Sequence, residues 1–286
     1  MHLGKHVWLI VLGAVVLGLL LPGPGLALKP HVSVLLLALM TLSLLSITLH
    51  DVRNAFQHKQ VYMTVAISLL ATPALAFFAK PLLTPAAFAG LLLAAAVPSG
   101  VAIVFLTRLV KGKTSQALSI TTLAHLVSIA TVPCILYIGL REIVSVDVWS
   151  VALALVKFII VPLILAQLVR AFVPQKIVLP TSTALLVLII WGLVAPTREL
   201  IMIDPWQFGT LAAITIVLMG AAFSIGWLIG KTRQEKATYS ISASYKNYTL
   251  ATVIALSVFG EHAALAAVAY AILNNILFAI AQFLSK

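Results

Sequence analysis

The sequence holds a single cysteine, Cys134, set inside an apolar run. One thiol excludes a disulfide framework and a thiolate metal site, and it says nothing about redox compartment. Acids are scarce too. The seven carboxylates, Asp51, Glu142, Asp147, Glu199, Asp204, Glu235 and Glu261, all fall in the gaps between apolar runs or at their ends. Paired acids for proton transfer, a carboxylate relay at membrane depth and a carboxylate-rich metal cage are therefore missing. No Gly-rich phosphate loop and no Gly-x-Ser-x-Gly turn occurs. His125 lies near intramembrane serines, but no acid is at hand to orient its imidazole as a hydrolase would require. The expectation is a protein that is not an enzyme and takes neither metal nor cofactor.

What is present is apolar. Of 286 residues 62% are hydrophobic and 9% charged, and the mean hydropathy is +1.16. Such density marks a polytopic membrane protein whose main partner is the lipid bilayer. The net charge of +11 sits in short gaps rather than on one patch, which argues against nucleic acid as a partner. Apolar runs at 7–27, 32–50, 61–79, 86–110, 115–139, 147–170, 179–196, 206–230, 237–260 and 262–284 predict ten transmembrane helices. Helices are required because every backbone polar group must be paired inside hydrocarbon. Pro22-Gly23-Pro24-Gly25, Lys80-Pro81, Lys111-Gly112-Lys113, Pro174, Pro180, Pro205 and Gly260 punctuate the runs. Lys5 and His6 before the first run, with Gly25-Leu26-Ala27 after it, resemble a cleavable leader. The expectation is that this span is retained, since further spans follow directly.

Charge then orients the chain. With the N-terminus inside, twelve Lys and Arg residues (Lys5, Arg53, Lys59, Arg108, Lys111, Lys113, Arg170, Lys176, Lys231, Arg233, Lys236, Lys286) are cytoplasmic, against four (Lys29, Lys80, Arg141, Arg198) on the other side. That bias predicts both termini in the cytoplasm and a bacterial-type inner-membrane location. Two lysines remain inside spans, Lys157 and Lys246. A charge at the bilayer centre costs on the order of 3 kcal/mol or more.

Ten spans divide into five plus five, about 1–140 and 141–286, and an odd number per half makes the second repeat inverted. The fourth span is interrupted by Val97-Pro98-Ser99-Gly100, and the ninth by the polar island Ser242-Ala243-Ser244-Tyr245-Lys246-Asn247-Tyr248-Thr249. Interruptions at corresponding places of two halves point to a transporter binding site. A broken helix frees N–H groups at the start of one half-helix, here near Val101 and Tyr248, where an anion is favoured.

Pro98-Ser99-Gly100, Lys111-Gly112 and the Ser/Thr-rich run to Pro133 resemble the fourth and fifth helices of the bile acid:sodium symporter family. The family's usual form is Pro-Gly-Gly-Thr-Ala-Ser-Asn, then Ala-Lys-Gly-Asp, then Leu-Ser and Thr-Pro. Ser242 to Leu250 resembles its ninth-helix motif, usually Glu-Thr-Gly-Met-Gln-Asn, with Asn247 as the closing Asn. Gly18 to Pro22 fits as well, and auxin-efflux or arsenite-type permeases fit less well. The resemblance implies a ten-helix inverted repeat with a panel (7–50 and 147–196) and a core (61–139 and 206–284), the broken fourth and ninth helices crossing in the core. It also implies sodium held near the crossing by oxygen ligands. Here the chain departs from the pattern it resembles. The ninth-helix carboxylate is Ser242, its Gln is Lys246, the fourth-helix Ser-Asn pair is Ile103-Val104, the fifth-helix Ser is Ala117 although Thr121 is kept, and the third-helix Gln is Ser68. An ammonium group repels sodium, so the two family sodium ions are not expected to bind.

Lys246 then has three readings. It snorkels to water, it is a fixed charge doing the work of sodium, or it titrates and takes up a proton with an anionic substrate. His125 shares a face with Thr121 and Ser128 and is either an interhelical hydrogen-bonder or part of a substrate or proton path. Lys157 snorkels or faces a water-filled cavity. Asn274 and Asn275 point in different directions, and Asn275 is assigned to the core. Gly226 and Gly230 make a close-packing pair. Tyr245 and Tyr248 are placed near the cavity, whereas Tyr239 lines it or packs.

These readings converge on a sodium-independent carrier of a small organic anion, working by alternating access and functional as a monomer. Transport is uniport, exchange or proton-coupled. Lys246, Asn247, Tyr245, Ser242, Ser244, Tyr248, Thr249, Pro98, Ser99, Gly100, Val101, Thr121, His125, Ser68 and Asn275 form the expected site. The alternatives are a sodium-coupled symporter with a residual site, and a channel or structural membrane protein.

Overall fold

A computed structural model describes residues 7–45, 58–100, 102–143 and 147–284. Among these residues the secondary structure is helical, with one isolated β-bridge and no strand. The helices are α1 (Val7–Leu20), α2 (Pro22–Leu44), α3 (Lys59–Leu82), α4 (Pro85–Ala96), α5 (Ile103–Leu109), α6 (Thr114–Leu140), α7 (Trp149–Val169), α8 (Gln175–Ile203), α9 (Pro205–Ile229), α10 (Arg233–Ser244), α11 (Tyr248–Val258) and α12 (Glu261–Leu284). Six of them, α2, α3, α6, α7, α8 and α9, are long and apolar enough to cross a membrane. α4 leads into α5 across 97–102, and α10 into α11 across 245–247.

Starts are marked by caps. Asp204 accepts from the Gln207 amide at 2.8 Å with Pro205 following it, and Thr232 and Glu235 form a reciprocal capping box at the start of α10. Gly260, at φ 86°, turns the chain from α11 into α12, a conformation that an L side chain resists. Two expected gaps are helical instead. Pro22-Gly23-Pro24-Gly25 forms the first turn of α2, where Pro22 surrenders no bond because N-terminal amides have no intrahelical partner. The expected boundary near 27–32 is therefore at Leu21, and α2 passes through Lys29–His31 as a tight 3-10 turn. Pro180 likewise lies inside α8.

α1 and α2 pack on α8, while α4, α9 and α11 pack on α12, and α10 on α9. Small residues make these approaches possible. A Cβ on Gly90 would overlap the Ala263 backbone of α12, and one on Gly226 would stand 2.6 Å from the Tyr239 carbonyl oxygen of α10. α12 also touches α1 and α8, so the two groups of helices meet along it. α4 is buried from Ala87 to Val97, which puts the break after it at the centre of the bundle.

Candidate functional site

The two breaks cross and hydrogen-bond to each other. The Gly100 amide donates to the Tyr245 carbonyl at 3.2 Å, and the Asn247 amide to the Pro98 carbonyl at 2.9 Å. These bonds make an antiparallel bridge between Ser99 and Lys246. Ser99 Oγ donates to the Ser242 carbonyl at 2.7 Å, and Asn274 Nδ2 to the Lys246 carbonyl at 3.1 Å. Backbone groups freed by unwinding are thus repaid inside the protein, the condition for irregular backbone in a buried position. Pro98 cannot donate and Gly100 leaves room for the ring of Tyr245, since a Cβ there would lie 3.0 Å from Tyr245 Cε1.

Lys246 is 1% exposed. Its ammonium donates to the Ser68 carbonyl, to Ser68 Oγ at 2.9 Å and to the Val97 carbonyl at 3.3 Å. Three donors meet three oxygens, so the head group is fully coordinated. The Ser68 carbonyl is free for a reason in the sequence. α3 widens into a π turn at Ile67–Ala71, where the Thr72 amide bonds the Ile67 carbonyl, and the next residue, Pro73, has no N–H to offer. Neither residue that would close the helix on Ser68 does so, and the lysine takes its place.

On the other side of the crossing lies a cavity of about 410 Å3. Gly100, Tyr245, Lys246, Asn247, Tyr248, Thr249 and Asn275 line it, with Met40 and Ser43 of α2 and Gln175, Ser182 and Thr183 of α8 opposite. It runs from the crossing to the end of the bundle marked by Leu45 and Gln175. Asn247 Oδ1 caps α11, accepting from the Leu250 amide at 3.2 Å and from Thr249 Oγ1 at 2.9 Å. Its Nδ2 faces Met40 Sδ at 3.6 Å. In this arrangement Asn247 keeps a donor toward the cavity, whereas Thr249, its proton spent on Asn247, presents lone pairs. Asn275 Nδ2 donates to the Ala271 carbonyl at 2.6 Å and reaches Tyr248 Oη at 3.4 Å.

A fold with a buried cation at a crossing of broken helices invites comparison with known carriers. The model of the Sodium Bile acid symporter family matches residues 33–204. The chain belongs to that family. A Bacillus subtilis (strain 168) protein named "Uncharacterized sodium-dependent transporter YocS" is 23% identical over 284 residues, covering 94% of this chain and 87% of its own. As a member of a transporter family with several apolar spans, this symporter relative is a multi-pass membrane protein. The family match ends before Ser242, so it includes the first break and not the second.

The remaining expected residues are placed as follows. Ser68, Pro98 and Ser99 stand behind the crossing and hold it together. Ser242 contributes its carbonyl, its hydroxyl being buried without a partner, and Ser244 Oγ donates back to the Ser240 carbonyl at 2.8 Å. Thr121 and His125 do not line the cavity. Thr121 Oγ1 donates to the Ala117 carbonyl at 2.8 Å, and His125 Nδ1 to the Thr121 carbonyl at 2.7 Å. His125 Nε2 is buried without a partner beside a separate small cleft that Leu44 and Leu163 also line. Val101 lies outside the described residues. Tyr239 packs, its hydroxyl donating to Gln116 Oε1 at 3.0 Å. Asn274 and Asn275 are both buried, one bonding the crossing and the other lining the cavity. Sequence reasoning gave the site no residue from α8 and omitted Asn274. The run Thr181-Ser182-Thr183 after Pro180 was the available signal for α8.

Proposed function

We propose that this protein is a sodium-independent carrier of a small organic anion, with the Lys246 ammonium doing the work of a bound cation. The observation that carries this reading is the trio of oxygens from Ser68 and Val97 around that ammonium. Carbonyl and hydroxyl oxygens are what a hard cation takes, and here a covalently attached cation has them. Its charge is delivered behind the crossing, while the cavity face offers Asn247 Nδ2, the first turn of α11 and the Ser182 hydroxyl, the Thr183 hydroxyl being spent on the Leu179 carbonyl. A carboxylate meets a positive potential there without a mobile ion as intermediary. α5 has seven residues and contributes little dipole, so α11 is the half-helix that matters.

In this reading α4 with α5, and α10 with α11, each count as one interrupted span, giving ten in two inverted repeats, about 1–140 and 141–286. The panel (7–50 and 147–196) and the core (61–139 and 206–284) move against each other around the crossing, in a monomer set in an inner membrane with both termini in the cytoplasm. The cavity runs toward Gln175, near the basic residues Arg170 and Lys176 assigned to the cytoplasm, so the present state is inward-facing. Proton coupling accompanies transport if Lys246 titrates, and exchange or uniport if it does not. Uptake of labelled carboxylates into proteoliposomes tests the reading. The rate should saturate with substrate and be unchanged when sodium is replaced by potassium. Collapse of uptake in potassium would refute sodium independence, and current without saturation would identify a channel.

A further inference from the structure

The second intramembrane lysine has no place in this mechanism. Lys157 is exposed at the middle of α7. Around it the exposed large apolar residues of the helix, Trp149, Leu153, Val156, Val161, Ile164 and Leu168, recur at three- and four-residue spacing, with one step of five across the π turn at Val156–Ile160, and form one apolar stripe. A stripe of this kind faces lipid, so the lysine stands in the lipid-facing surface itself. Trp149, 71% exposed at the start of α7, marks the level of the headgroups. Lys157 lies eight residues deeper, about 12 Å along the axis, and its stem recovers about 6 Å of that. Among the described residues its ammonium meets no carboxylate. It lies over the face of Phe158, 5.3 Å from the ring centroid. Asp147, the acid at that end of α7, is occupied by the Trp149 and Ser150 amides and by Ser150 Oγ. A second copy of this chain has no acid at membrane depth to offer either.

We infer that Lys157 and the stripe around it hold a phospholipid through its phosphodiester, on the face where α7 begins. The lipid's chains cover Leu153, Val156 and Ile164, and its phosphate is drawn below the Trp149 level to the ammonium. Charge complementarity selects this occupant, since the phosphodiester is the anion that every phospholipid of a bilayer carries joined to apolar chains.

Native mass spectrometry of the detergent-purified protein tests it. Phosphatidylglycerol is titrated against diacylglycerol of the same chains, which lacks the phosphate. The wild type should hold one phosphatidylglycerol at least five-fold more tightly than diacylglycerol, Lys157→Gln should lose that preference, and Lys157→Arg should keep it. Equal binding of the two lipids to the wild type overturns the proposal even if the variants fail to fold. Equal phosphatidylglycerol binding by wild type and Lys157→Gln also overturns it, as does a wild-type dimer that Lys157→Gln converts to monomer, which would make a second copy the occupant.

Discussion

At the scale of single residues the arrangement turns on Lys246 and what surrounds its head group. Removing the ammonium strands three buried oxygens, and each unsatisfied group costs about 1–3 kcal/mol. Lys246→Met is expected to lower the melting temperature more than any other single change at the crossing and to abolish uptake. Ser68→Ala removes one acceptor of three and should cost about 1 kcal/mol, read as a smaller melting shift. Lys246→Gln makes the sharper test of the built-in cation. With the charge gone and the oxygens left, sodium should raise the melting temperature of the variant saturably and leave the wild type unchanged. Asn247→Ala deletes the cap of α11, a change worth about 1 kcal/mol, and removes a donor from the cavity wall, so stability and uptake should fall together. The lysine could be singled out from sequence because an unpaired charge inside an apolar run demands a reason. Ser68 entered the expected site only through the family resemblance, and neither its contact with Lys246 nor that of Val97 was legible, because Ser68 stands 178 positions away in the chain and a carbonyl carries no residue signature.

At the scale of elements, two helix segments decide what the residues can do. The π turn of α3 exists because Pro73 withholds an N–H, and it frees the Ser68 carbonyl. Replacing a mid-helix proline normally stabilises a helix, since proline costs about 3 kcal/mol there. Pro73→Ala is expected to do the opposite, because a restored N–H permits the α register and competes for the oxygen that holds Lys246. Thermal unfolding of Pro73→Ala beside Ser68→Ala reads this directly, and a higher melting temperature would contradict it. The start of α10 carries a second device. Glu235 caps the helix and accepts from Lys113 Nζ at 2.7 Å, and these hydrogen bonds, that of Lys113 first, hold its carboxyl down at about 2 from an ordinary 4.5. A depressed acid stabilises the fold fully above its unfolded value. That contribution should be lost as pH falls from 4.5 toward 2, and Glu235→Gln should flatten the acid limb of the stability curve in that window.

At the scale of the whole molecule, the cavity approaches one end of the bundle, and an ion pair joins two helices at the other. Lys29 of α2 and Glu261 of α12 form an ion pair at 2.6 Å, joining the proposed panel to the proposed core at the far end from Gln175. Both side chains are more than 40% exposed, so the pair contributes 1 kcal/mol at most. A preference of that size shifts a two-state equilibrium up to about five-fold. Glu261→Gln should therefore lower the inward-facing population. In a Cys134→Ser background, a cysteine at Ser182 should be labelled more slowly by an impermeant thiol reagent from the cytoplasmic side. High salt should slow the wild type in the same way, because it screens exposed pairs. A labelling rate untouched by both would remove this pair from the gating of the carrier.

The sequence by itself determined that the chain is helical and built for lipid, because apolar runs of this length admit no other pairing of the backbone. It determined the family as well, and the two places where helices must break, since Pro98 and the island around Lys246 are visible as interruptions of a uniform composition. Only the tertiary structure decided what the breaks do. It paired them into a bridge, turned the ammonium toward Ser68 and Val97 and away from the cavity, set Thr121 and His125 apart from it, and brought the hydroxyls of α8 opposite Asn247. It also separated the two lysines of the apolar runs, Lys246 buried among oxygens and Lys157 exposed on α7. The physical reason is common to all of these. Burial and periodicity are local and leave a mark on residue type, whereas the partner of a buried charge is chosen by backbone oxygens that the fold gathers from distant helices.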